Sequence, residues 1–249
     1  MTLALVLMLI SALLVGVLAG YVGIGGILLP PALVYVGGLD FHLAAATSMW
    51  AFLFAGAGGT FIYLRHRNVD WRMVAWLGAG IVPTALAGAW ANVALPESVP
   101  MAVLALLIVA TGAVTVFRST VVEHLRHFRA PTLLAVGAFV GFGSALTGTG
   151  GPVLLVPILL LLRTPVRVAV GAGMAVSLVV TASSTAGYVY YGSVDFVLGT
   201  MLGLALVVGV VASALTAHAV RVTTLQRIVA AALLCIGLLI AAQTVWSMW

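Results

Sequence analysis

Long apolar runs separated by short polar breaks dominate the chain. Six runs are uninterrupted, at residues 43–64, 73–95, 101–117, 168–190, 196–220 and 228–246. A helix needs about 20 apolar residues to cross the hydrocarbon core of a bilayer, so each of these predicts a transmembrane helix. Two longer apolar stretches, residues 3–38 and 132–162, are broken by glycines, at Gly20-Tyr-Val-Gly-Ile-Gly-Gly26 and at Gly148-Thr-Gly-Gly151. These predict helical hairpins.

The polar breaks are of two kinds. Arginines cluster at Arg65, Arg67 and Arg72; at Arg118, Arg126 and Arg129; at Arg163 and Arg167; and at Arg221 and Arg227. The remaining connections, Asp40-Phe-His42, Pro96-Glu-Ser-Val-Pro100 and Gly192-Ser-Val-Asp195, contain none. Positive charge is retained on the cytoplasmic side of a membrane. With all four clusters inside, every uninterrupted run between loops passes from a basic side to a non-basic one. The parity then makes 132–162 a hairpin with both ends inside and 3–38 a hairpin with both ends outside. It predicts a multi-pass protein of the cell (inner, cytoplasmic) membrane with both termini extracytoplasmic.

Composition narrows the class further. Of 249 residues, 64% are hydrophobic and 6% charged, and the mean hydropathy is +1.30. A soluble domain carries about 25% charged residues. Soluble enzymes, nucleic-acid binders and disordered scaffolds are thereby excluded. The excess of arginine, with lysine absent, lies in loops rather than on a basic face. Cys235 is alone and inside an apolar run, so neither a disulfide nor a cysteine metal site is expected. The opening MTLALVLMLI lacks a basic n-region and reads as a retained membrane segment.

A shift of 125 residues aligns the chain with itself. Gly23, Gly25 and Gly26 fall on Gly148, Gly150 and Gly151; Met49 falls on Met174, Thr60 on Thr185 and Tyr63 on Tyr188. Val69-Asp70 falls on Val194-Asp195, with Trp71 on Phe196. Combined with the arginine pattern, matched loops lie on opposite sides. The predicted fold is therefore all-α and integral to the membrane, with two inverted-topology repeats at 1–125 and 126–249. Each is a glycine-broken hairpin plus three transmembrane helices. Inverted repeats are characteristic of secondary transporters, whose binding site lies near the midplane at the repeat interface.

Irregular backbone at membrane depth is tolerated where protein or a water-lined cavity satisfies it. Thr149-Gly150-Gly151-Pro152 reads as a helix start, because proline at the first helical position loses no needed N–H. Such an N-terminus presents free amides and about half a positive charge, an anion site. Two of them across a pseudo-two-fold axis would hold one small oxyanion. The candidate substrate-binding residues are Gly23, Gly25, Gly26, Thr47, Ser48, Thr147, Gly148, Thr149, Gly150, Gly151 and Ser177. The plainer alternative is that the glycines let helices approach closely. Asp70 and Asp195 look like helix N-caps, with a gating role as the alternative. Pro83 reads as a kink or hinge. His42 and His218 have no partner in sequence, and Trp71, Tyr190, Tyr191, Trp246 and Trp249 suit interfacial anchoring.

No Asp, Glu, Lys or Arg falls inside a predicted span. Anion export down the membrane potential, worth about 2.3 kcal/mol per charge per 100 mV, needs no coupling carboxylate. No cofactor or metal is expected, since intramembrane His, Cys and carboxylate ligands are missing. An embedded enzyme is disfavoured for want of a catalytic constellation.

The motifs resemble the sulfite exporter TauE/SafE family of membrane proteins. The resemblance is carried by Gly23-Ile-Gly-Gly26 with Leu28-Leu29-Pro30, by Gly148-Thr-Gly-Gly-Pro-Val-Leu-Leu-Val-Pro157, and by Asn68-Val-Asp-Trp71 and Gly192-Ser-Val-Asp-Phe196. Ile27 and Pro30-Pro31 depart from its pattern. The resemblance implies transport of sulfite, sulfoacetate or another organosulfur anion, with lipid and a small anion as partners and no nucleic acid. A passive anion channel and a drug/metabolite-type exporter of another inverted-repeat family are the alternatives.

Overall fold

In lipid, backbone N–H and C=O groups must be paired within the segment, so apolar runs of this length become helices. The structure, a computed structural model, describes residues 2–22, 25–65, 70–117, 128–191 and 194–216. Among them the elements are α1 (Thr2–Val22), a 3₁₀ turn (Gly25–Leu28) running into α2 (Leu29–Tyr35), α3 (Phe41–Arg65), α4 (Trp71–Ala94), α5 (Ser98–Phe117), α6 (Ala130–Thr147), α7 (Pro152–Leu161), α8 (Val166–Tyr190) and α9 (Phe196–Thr216). Six of these helices, α1, α3, α4, α6, α8 and α9, are long and apolar enough to cross a membrane. The predicted span 228–246, Cys235 and His218 lie outside the described residues.

The glycine breaks divide each hairpin unequally. The first arms, α1 with 21 residues and α6 with 18, have lengths close to a full crossing. The returning arms are short: α7 has 10 residues, about 15 Å at 1.5 Å per residue.

Large apolar side chains face outward, among them Leu3 and Leu14 of α1, Trp76 and Trp90 of α4, and Leu204 and Val208 of α9. Small residues face inward. Helix association in lipid has no hydrophobic drive and relies on close packing, for which small residues are suited. A Cβ on Gly137 of α6 would sit 2.2 Å from the Leu77 carbonyl oxygen of α4; one on Gly16 of α1 would sit 2.3 Å from that of Leu206 in α9. Those two pairs, α4 with α6 and α1 with α9, are the broadest contacts, and each runs parallel. At the centre α3 crosses α8 antiparallel, with Gly56 against Ser177 and Gly59 against Met174.

Packing contacts recur at the same 125-residue spacing. Gly16 abuts Leu206 as Gly141 abuts Ile81, and Gly203 abuts Phe54 as Gly78 abuts Val179. Asp70 accepts a hydrogen bond from the Met73 amide, and Asp195 from the Leu198 amide. Both returning arms end alike. Leu39 N–H reaches the Leu33 carbonyl past Gly38 at φ +66°, and Thr164 N–H reaches that of Leu159 past Arg163 at φ +63°. The second is the six-to-one closure that favours a left-handed residue after a helix, and the first is one residue wider around the same left-handed turn.

The arginine-free loops meet at one end of the bundle. The Phe41 amide donates to the Glu97 carboxylate at 2.5 Å, and the Asp195 amide to Thr47 Oγ1 at 3.2 Å. The helix directions place Arg72, Arg129 and Arg163 at the opposite end.

Candidate functional site

Gly25 and Gly26 of the first break and residues 148–151 of the second are buried, and the two breaks touch each other. A Cβ on Gly26 would lie 2.9 Å from the Thr149 carbonyl oxygen and 3.3 Å from the Phe52 ring. Across the contact, Gly150 adopts φ +71° with Phe52 3.3 Å from its Cβ position, and Gly151 lies against Ser177. A cavity of about 20 Å³ remains between them, lined by Gly26, Phe52, Gly56, Thr149, Gly150 and Ser177, among others. It has room for about one water molecule, and not for an oxyanion. Phe52 and Ser177 each lie near the middle of a 25-residue helix, so the cavity is at mid-length of α3 and α8.

The second break supplies most of the polarity. Thr147 Oγ1 donates to the Gly143 carbonyl at 2.7 Å and lies 3.1 Å from Thr149 Oγ1, and Ser144 Oγ donates to the Gly150 carbonyl at 3.0 Å. Two of the amides expected to be bare are engaged. Gly148 N–H and Thr149 N–H both donate to the Ser144 carbonyl, at 2.9 and 3.2 Å, closing α6 with Gly148 at φ +72°. The first helical bond of α7 that follows runs from Leu155 N–H to the Gly151 carbonyl. Pro152 has no N–H, and no side chain caps this end, so the amides of Val153 and Leu154 precede that bond.

The first break is less polar. Gly25 is pressed on α1, its Cβ position 2.5 Å from the Val15 carbonyl oxygen, and Pro30 and Pro31 contribute no amide to the arm. Gly23 lies outside the described residues.

The remaining predicted residues are dispersed. Thr47 is tied to the Asp195 amide, while Ser48 is fully buried without a hydrogen-bond partner. Gly148 is wedged against Ala45, where a Cβ would lie 2.5 Å from the Ala45 Cα. Asp70 is an N-cap, accepting from the amides of Arg72 and Met73. Asp195 takes the equivalent bond from Leu198, and Pro83 lies within α4.

Three residues escaped the sequence reading. Phe52 and Met174 line the cavity, but apolar side chains in apolar helices carry no distinguishing signal. Asn92 does carry one, as an amide inside a predicted span. It is fully buried, donates to the Leu146 carbonyl at 2.6 Å and meets His42 Nδ1 at 3.0 Å, which gives His42 its partner. Nearby, Asp40 caps the start of α3 through the amides of His42 and Leu43. Burial pushes its carboxyl up, but the Glu97 side chain, those two amides and the charge of His42 outweigh it and hold the pKa below the usual value. Among the described residues, no group of three His, Cys, Asp or Glu could hold a metal.

Comparison with known proteins adds the identity. The family model described as Sulfite exporter TauE/SafE matches residues 8–240. A Bacillus subtilis (strain 168) protein named "Probable membrane transporter protein YunE" is 24% identical over 234 residues, covering 82% of this chain and 84% of its own. No solved structure matches. With six helices long and apolar enough to cross a membrane among the described residues and with this match, the chain is a multi-pass membrane transporter and belongs to the sulfite exporter TauE/SafE family.

Proposed function

We propose that the protein exports a small oxyanion of the sulfite or organosulfonate class by alternating access. The substrate occupies the region between the two glycine breaks. The observation that carries this reading is the paired contact of Gly26 with Phe52 and Gly151 with Ser177 around a cavity at mid-length of the central helices. Those positions correspond under the 125-residue shift, as do the caps, arm ends and helix contacts. All of them support two repeats related by an axis in the membrane plane. The antiparallel run of the equivalent helices α3 and α8 supports an inverted relation between the repeats.

The amides ahead of the first α7 bond, with Thr149 and Ser177, supply donors to an anion's oxygens. A water-sized cavity makes this conformation a closed one, and substrate enters when Phe52 withdraws. The end bearing Asp40, Glu97 and Asp195 is extracytoplasmic, the arginine-bearing end cytoplasmic.

The test is sulfite flux in proteoliposomes under an imposed potential. Saturable efflux that carries charge and shows counterflow is expected. Electroneutral movement would overturn uncoupled export. Flux without counterflow would favour a passive channel.

A further inference from the structure

Hydroxyl groups in an apolar helix usually donate to a carbonyl one turn earlier. Ser11, Thr84, Thr147, Thr181 and Thr200 all do so here, at 2.6–2.9 Å. Four buried hydroxyls on the central helices make no hydrogen bond at all. Ser48 and Thr60 of α3, and Ser184 and Thr185 of α8, are buried with no partner. A hydroxyl buried in this way carries the full cost of its lost hydration.

Their placement is lopsided. The contacts of Gly56 with Ser177 and Gly59 with Met174 set the antiparallel register of α3 and α8. The same register places Ser48 level with Thr185, and Met49 level with Ser184, toward the arginine-poor end. Toward the other end, the residues equivalent to Ser48 and Ser184 are Gly173 and Gly59, and only Thr60 matches Thr185. Thus three unspent hydroxyls occupy one half of the seam and one occupies the other. Neither helix contains Asp or Glu, which a divalent-cation site would need. Hydroxyl hydrogens not committed to the backbone suit a ligand that only accepts hydrogen bonds, and an oxyanion is such a ligand.

We propose that Ser48, Ser184 and Thr185 form a second oxyanion subsite, between the central cavity and the arginine-poor end, exposed when α3 and α8 part there. This deepens the export reading and rests on it for the direction of travel. In the closed seam the hydroxyls have no partner. Parting the helices hydrates them, and a passing anion then takes their hydrogen bonds.

The experiment uses the full chain with Cys235→Ser and Ser184→Cys, reconstituted in vesicles. An impermeant thiol reagent carrying a sulfonate reports access, and sulfoacetate is the competing probe. Labelling from the arginine-poor side, slowed several-fold by sulfoacetate and unaffected by the same concentration of chloride, is expected. Labelling only from the opposite side, none at all, or labelling indifferent to sulfoacetate overturns the subsite.

A second variant, Ser184→Ala with Thr185→Val, guards against a folding defect. Its thermal stability should match or exceed that of the parent, because no hydrogen bond is lost, while sulfoacetate flux falls several-fold. Undiminished flux overturns the proposal. If sulfoacetate protects Ser184→Cys but wild-type vesicles move neither sulfite nor sulfoacetate, the subsite stands and export falls. If wild-type flux is intact and protection is absent, the subsite alone falls.

Discussion

The two glycine breaks occupy corresponding positions but are built differently. The first enters its arm through a 3₁₀ turn, Gly25–Leu28, and rests on an aromatic ring, Phe52. The second turns through two left-handed glycines, carries Ser144, Thr147 and Thr149, and rests with Gly150 on the same Phe52 ring and with Gly151 on the Ser177 backbone and the Val180 side chain. The first break is apolar, and the second carries the hydroxyl groups. Glycine turns at corresponding positions therefore need not carry the same chemistry.

The sharpest way to break the comparison is at the glycines themselves. Gly148→Ala adds a Cβ 2.5 Å from the Ala45 Cα at a residue already at φ +72°. We expect a loss of about 3 kcal/mol or more, from overpacking together with left-handed strain. Gly38→Ala shares the positive φ, but its Cβ would meet nothing within 4 Å. It should lose only about 1 kcal/mol. Thermal unfolding of the two variants in detergent checks the difference. Equal losses would mean that the clash at Ala45 relaxes freely.

Exchanging the two supports comes next. Phe52→Ala should cost about 3 kcal/mol in stability while widening the cavity, so that larger sulfonates compete with sulfite for transport. Ser177→Ala should leave stability nearly unchanged and weaken sulfite binding about tenfold, the effect of one hydrogen bond to a charged ligand. Binding isotherms on both variants separate bulk from polarity. A wild-type isotherm for Ser177→Ala would remove that hydroxyl from the site.

Asn92 tests whether α6 depends on α4 near the second break. Asn92→Ala strands the Leu146 carbonyl and should cost about 2 kcal/mol. Asn92→Asp retains an acceptor toward His42 but loses the amide donor to Leu146, and a comparable loss for both variants would assign the effect to that donor.

The smallest effect is at the arginine-poor end. Asp40 has a folded pKa below its ordinary value, so its contribution is present above the unfolded pKa of about 3.9 and lost as pH falls through the folded value. Because the group is largely exposed, Asp40→Ala should cost under about 1 kcal/mol at pH 7 and less in acid. Unfolding of both proteins from pH 7 down to pH 3 measures it. A difference that grows in acid would contradict the assignment.

How much of this was legible from the chain depends on the kind of force involved. Run length and hydropathy determined the helices, since lipid offers the backbone no partner. The predicted run 43–64 lies within α3, and 73–95 is α4 to within two residues at either end. The caps at Asp70 and Asp195 were legible because capping is local and chemically specific. So was the interruption of both hairpins, because glycine and proline act on their own backbone. The placement of Phe52 against both Gly26 and Gly150, the tie between Thr47 and Asp195, and the bond from Asn92 to the Leu146 carbonyl were decided only by tertiary structure. Those outcomes turn on a few tenths of an ångström between helices far apart in sequence. In a chain where nearly every side chain is apolar, hydrophobicity does not distinguish one buried neighbour from another. Shape does, and shape exists only once the helices are packed.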